Sequence, residues 1–231
     1  MPARLPELPV TGRPRLLYLH GFASSPRSSK AAFFAQRAAA AGLELVCPDL
    51  NEPSFAALTV SRMIADVDRA IDAGSAPVIL IGSSLGGFVA LHAASQRATL
   101  TGSAAPIAGL VLLAPALDLV RSLEAEFGPD RMARWQASGL LPVFHYGDNA
   151  MRELDWSFME DLRRYDAGDP VPGVPILVYQ GRHDELVDAA VVERWAAGRP
   201  QVTLKLVDDG HQLLQHLEAM WADTVRLAGG P

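Results

Sequence analysis

Val78-Ile79-Leu80-Ile81-Gly82-Ser83-Ser84-Leu85-Gly86-Gly87 is the stretch from which the fold can be read. Its four leading apolar residues form a short run suited to a buried strand. The run passes through G-x-S-x-G straight into Phe88 to Gln96, which reads as a helix. A strand that turns at once into a helix strains the backbone at the corner. Side chains flanking that corner would collide, and glycine at both positions relieves the collision. Ser84 is thereby lifted clear of the strand and set at a helix N-terminus, where free N–H groups favour negative charge. Ser83, at an x position, is expected to point away. The plain alternative is a turn of small residues chosen for packing alone.

Working outward, further apolar runs appear at Leu16–His20, Glu44–Cys47, Leu110–Ala114, Ile176–Gln180 and Thr203–Val207. They are continuous rather than alternating, as strands are when both faces of a parallel sheet are covered. Helical periods lie between them. Val60, Met63, Ile64, Val67 and Ile71 make one stripe, with Arg62, Asp66, Arg69 and Asp72 on the opposite face. Leu213, Leu214, Leu217, Met220 and Trp221 repeat the pattern. Strand–helix alternation predicts right-handed βαβ units. The expected fold is α/β, a doubly wound and mostly parallel sheet of about six or more strands in a single domain spanning 1–231.

One stretch breaks the rhythm. Residues 115–174 separate two strands by far more than a crossover needs. Punctuated by Pro129, Pro142, Pro170 and Pro172, the stretch reads as a helical, cap-like insertion over one end of the sheet. An ordinary pair of packed helices is the alternative.

Composition narrows the function classes. The 231 residues are 49% hydrophobic and 20% charged, enough to build a core without metals or disulfides. A net charge of −6 with no basic block gives no footprint for nucleic acid or an anionic membrane. Cys47 is the single cysteine, so no intrachain disulfide and no thiol cluster can form. The first fourteen residues carry four prolines and no apolar core of a signal peptide. No apolar run approaches a bilayer span. The expectation is a reducing, cytoplasmic compartment.

A serine hydroxyl needs a base, commonly histidine. Of the six histidines, His211 in Asp208-Asp209-Gly210-His211 follows the last strand run, at a strand's C-terminal end, where ligands gather in open α/β sheets. His92 and His216 read as helix packing, and His145 as a surface or pocket-lining residue. A carboxylate must fix the tautomer of the base. Asp184 in Gly181-Arg182-His183-Asp184 follows another strand and is preferred over Glu185, Asp188, Asp208, Asp209 and Asp118. An oxyanion needs two preset N–H donors. Leu85, after the nucleophile, and Phe22, in the loop His20-Gly21-Phe22-Ala23, are the expected ones, with His20 bracing that loop. P-loop, dinucleotide and H-E-x-x-H motifs are absent, so neither a cofactor nor a metal is expected. Ser24-Ser25-Pro26-Arg27-Ser28-Ser29-Lys30 could mark an anion site at a helix start, but a solvated loop with a helix N-cap is the preferred reading.

At this point the chain resembles the α/β-hydrolases over nearly its whole length. Leu17-Tyr18-Leu19-His20-Gly21-Phe22-Ala23-Ser24-Ser25-Pro26, with Lys30-Ala31 beyond it and Gly82 to Gly87, is similar to small bacterial YqiA-like esterases. Within the insertion, Trp135, Gly139, Tyr146 and Trp156-Ser157-Phe158 look more like the lidded serine hydrolases related to mitochondrial palmitoyl-protein thioesterases. The resemblance implies carboxylesterase or thioesterase activity, with Ser84, Asp184 and His211 as the triad. It also implies a sheet trimmed at its N-terminal edge.

The expected function is therefore a cofactor-free serine carboxylesterase acting on small to medium acyl esters. Phe22, Trp135, Phe144, Tyr146 and Trp156 are candidates to shape its acyl pocket, with core packing the equal alternative for each. A thioesterase using the same triad is the second reading. A hydrolase-like scaffold that binds a small molecule without turnover is the third.

Overall fold

The computed structural model describes residues 13–102, 106–166 and 170–229. Six strands form one parallel sheet: β1 (Arg15–Leu19), β2 (Leu45–Val46), β3 (Val78–Ser83), β4 (Ile107–Leu113), β7 (Ile176–Gly181) and β8 (Val202–Val207). Their order is β2-β1-β3-β4-β7-β8. Between β1 and β3 the winding reverses. From there the chain runs outward both ways, which opens a crevice above the C-terminal ends of those two strands.

Register fixes which side chains share a face. Leu17, Leu80, Leu110 and Ile176 stand side by side across the sheet. They belong to a core shared with α2 (Val60–Asp72), α3 (Leu85–Thr101) and α6 (Ala189–Ala196). Their neighbours in sequence, including Leu16, Ile79, Ile81 and Leu177, point the other way. There they meet α1 (Ser29–Ala40) and α7 (Leu217–Leu227). Both faces are covered, which is why the strands are apolar without alternation.

Helix α2 shows the local logic. Val60, Met63, Ile64, Val67 and Ile71 are all buried, and the Thr59 hydroxyl caps the helix by accepting from the Arg62 N–H. Capping of this kind contributes about 1 kcal/mol.

The insertion departs from its expected helical makeup. It holds α4 (Leu119–Ser138), then an antiparallel pair, β5 (Leu140–His145) and β6 (Ala150–Asp155), then α5 (Ser157–Asp166). Helix α4 is bent where Gly128 adopts φ 69° ahead of Pro129, which cannot donate to the helical ladder. Pro142 stands inside β5 and obscures the strand in the sequence. A two-stranded ribbon tolerates it because each strand is an edge. Among the described residues, no helix is long and apolar enough to cross a membrane.

Candidate active site

The corner after β3 places Ser84 at φ 53°, ψ −116°, a conformation that L residues rarely hold. Its neighbours show why glycine is needed here. A Cβ on Gly82 would run into the backbone of Gly86, and one on Gly86 into the carbonyl of Leu19. The corner is also tied down. The Ser84 N–H donates to Leu113 O at 2.9 Å, and Ser84 O accepts from the N–H of Gly87 at 2.9 Å.

The loop after β1 leans on this corner. A Cβ built on Gly21 would lie 3.5 Å from Ser84 Cβ. His20 stabilises the loop through both ring nitrogens. Nδ1 donates to Gly21 O at 3.0 Å and Nε2 accepts from the Leu50 N–H at 3.0 Å. Nε2 also lies 3.3 Å from Asp49 Oδ1, so the ring ties the loop to the segment after β2. The Phe22 ring stacks at a tilt between Phe55 and Phe158, at 5.5 and 5.7 Å. From the insertion, Tyr146 N–H donates to Ala23 O at 2.8 Å, so the hairpin tip is strapped to the same loop.

Asp184 and His211 meet on the other side. Asp184 Oδ2 accepts from His211 Nδ1 at 2.9 Å. Asp184 Oδ1 accepts from the N–H groups of Leu186 and Val187, each at 2.9 Å. Burial acts to raise the Asp184 pKa. The hydrogen bond and charge of His211, with those two N–H groups, outweigh burial and hold it below the usual carboxylate range. A carboxylate only accepts, so His211 carries its proton on Nδ1 and leaves Nε2 free to act as a base.

Two supporting residues escaped the sequence reading. Gln180 is fully buried and donates through Nε2 to Asp184 Oδ2 at 3.0 Å and to Val187 O at 3.2 Å. The signal was a lone polar side chain ending an apolar strand. Gly181 lets the His211 loop pass close by, since a Cβ there would sit 2.6 Å from Gly210 O. That loop is locked by Asp209, which accepts from Gln215 N–H at 2.9 Å and from His216 Nδ1 at 3.1 Å.

Three of the rival acids have other work. Asp209 holds its loop, Asp208 pairs with the exposed His183 at 2.7 Å, and Asp188 caps α6 by accepting from Ala190 N–H. His145, expected at the surface or lining a pocket, is buried against Phe55 at the edge of a smaller pocket and accepts through Nδ1 from Asp148 N–H at 3.1 Å.

A cavity of about 1340 Å³ opens over the crevice, and Ser84, Leu85, Phe22, Asp184 and His211 all line it. Phe144 and Tyr146 line it from the hairpin tip, paired edge to face at 5.2 Å. Trp135 and Trp156, read from the sequence as possible pocket residues, do not. They pack edge to face at 5.1 Å inside the core, and Trp135 Nε1 donates to Leu154 O. Their role is to anchor the hairpin to α4, which is what large aromatic area does best. Lys30 departs from the solvated loop expected of its segment, for it is 6% exposed. Among the described residues, no group of three or more His, Cys, Asp or Glu side chains is arranged to hold a metal.

The family model for the uncharacterised protein family UPF0227 matches residues 15–225. The chain belongs to that family. Solved structures place this UPF0227 member among α/β-hydrolase folds. A candidate hydrolase from Agrobacterium vitis S4 is 26% identical, with TM-score 0.81 over 94% of this chain and 88% of its own. Mouse alpha/beta hydrolase domain-containing protein 10 is 21% identical, with TM-score 0.77 over 97% and 92%. Est1E from Butyrivibrio proteoclasticus, solved with ferulic acid bound, is 18% identical, with TM-score 0.74 over 94% and 90%. No curated protein matches the UPF0227 sequence.

Proposed function

We propose that this protein is a serine hydrolase that cleaves small to medium carboxylic esters through an acyl-enzyme on Ser84. The observation that carries the reading is the strained serine at φ 53°, which shares one cavity with a histidine whose Nδ1 is committed to a buried aspartate. The fold likeness to a candidate hydrolase at 26% identity supports the same class.

The chemistry follows from the groups present. His211 Nε2 removes the hydroxyl proton as Ser84 Oγ attacks the acyl carbonyl. Asp184 holds the imidazole and stabilises the imidazolium. The carbonyl oxygen becomes negative and accepts from the N–H groups of Leu85 and Phe22. Losing one such donor typically costs about 3–4 kcal/mol of transition-state stabilisation. His211 then protonates the departing alcohol. Water, deprotonated by His211, attacks the acyl-enzyme, which frees the acid and restores Ser84. Phe22, Phe144, Tyr146 and Phe158 give the cavity an apolar wall for the acyl chain.

A fluorophosphonate probe tests the assignment. The expected result is labelling of the folded wild type at Ser84, none in Ser84→Ala, and turnover of 4-nitrophenyl esters by the wild type alone. A folded wild type that neither labels nor hydrolyses would overturn it.

A further inference from the structure

Lys30 is the second residue of α1, just past the Ser28 cap. That is an unfavourable place for a cation, because the helix N-terminus already carries partial positive charge. The side chain is also buried, at 6% exposed, beside Ala31 and Phe34. Burial lowers its pKa to about 8, with Asp184 and then Asp209 acting in the opposite direction. Both carboxylates act on it through space, but their oxygens are engaged by other donors and neither makes a direct contact with it. Asp184 is occupied by His211, Gln180 and two N–H groups, and Asp209 by His216, Gln215 and Gly210. Among the described residues, the Lys30 ammonium makes no hydrogen bond and no direct ion pair. It lines the same cavity as Ser84 and His211, and Arg27 lines that cavity too.

An ammonium set in a cavity wall with no direct partner offers a ligand's negative charge a ready contact. We propose that Lys30 is a specificity-determining residue that holds a carboxylate carried by the substrate, so that the preferred ester is anionic. The inference rests on the serine-hydrolase reading, since it assigns the substrate of that same site. The segment from Ser24 to Lys30 thus becomes part of the binding surface.

Two matched ester pairs test it. 4-Nitrophenyl hemisuccinate against 4-nitrophenyl butyrate puts the charge on the acyl side. 3-Carboxyphenyl butyrate against phenyl butyrate puts it on the leaving group. The wild type is expected to favour the charged member of one pair by about tenfold or more in kcat/KM, the range of a charge-assisted hydrogen bond. Lys30→Met should bring that ratio near one, chiefly by raising KM for the charged ester, and Lys30→Arg should restore part of it. A wild type with no preference in either pair overturns the proposal. So does a Lys30→Met variant that lowers both members equally, as a purely structural role would. If the wild type hydrolyses nothing, the catalytic reading fails separately. Calorimetry with monomethyl succinate on the wild type and Lys30→Met then decides the binding question: heat lost with Lys30 supports the proposal, and no heat from the wild type overturns it.

Discussion

Asp184 Oδ2 lies 2.9 Å from His211 Nδ1, and the aspartate side chain is wholly shielded from solvent while the imidazole keeps a 13% exposed edge toward the cavity. The pair is thus anchored at one end and open at the other, the arrangement a base needs to work on a bound molecule. Asp184→Asn keeps the shape and leaves an oxygen for the Leu186 and Val187 N–H groups. It no longer enforces the Nδ1–H tautomer. The expected outcome is a kcat lower by about 10³–10⁴-fold with the fold retained, read from steady-state ester hydrolysis and circular dichroism.

Gln180 bears on the same carboxylate from below. Gln180→Leu removes the donor to Asp184 and leaves Val187 O without that partner. A loss of about 1–3 kcal/mol in urea unfolding is expected, together with a fall in kcat. Unchanged values of both would mean the amide is passive.

The glycines at the two ends of α3 differ in what they tolerate. Gly86→Ala drives a methyl into the Leu19 carbonyl, backbone against backbone, and should cost about 4 kcal/mol or more or prevent folding. Gly102→Ala, at φ 73° in open space, should cost only about 1 kcal/mol. Denaturant melts of the two variants check the contrast.

His92 predicts an acid-sensitive step in stability. Burial lowers its pKa from 6.5 to about 4, between the rings of Phe88 and Tyr165. The unfolded chain therefore binds the proton more tightly than the folded one. The stabilisation is complete above pH 6.5 and is lost as pH falls toward 4, to a total of roughly 3 kcal/mol. His92→Leu should flatten the unfolding free energy across that window. A slope identical to wild type would argue that other groups carry it.

What the sequence disclosed follows the strength of local physics. Strands such as Val78–Ser83 were visible because burial on both faces leaves no alternation to confuse. The corner at Ser84 was visible because its steric demands admit so few residues. The hairpin was hidden because Pro142 argues against a strand and the alternation of Leu141, Val143 and His145 is short. Trp135 and Trp156 misled because an aromatic in an insertion serves a core or a pocket equally well until neighbours are known. Gln180 reaches Asp184 and Val187 nearby and is marked by its place as a polar residue in an apolar strand, whereas Gly181 acts through the backbone of Asp209 and Gly210, far along the chain, which no local pattern encodes. The burial of Lys30 is of the same kind.

The bond from Tyr146 N–H to Ala23 O joins the tip of the ribbon to the backbone one residue beyond Phe22. The ribbon tip and the loop that carries Phe22 are therefore mechanically linked. If the Phe22 N–H steadies the substrate oxygen as proposed, a bulky guest that pushes the tip aside tugs on backbone only two peptide units away, so admission and chemical readiness are coupled.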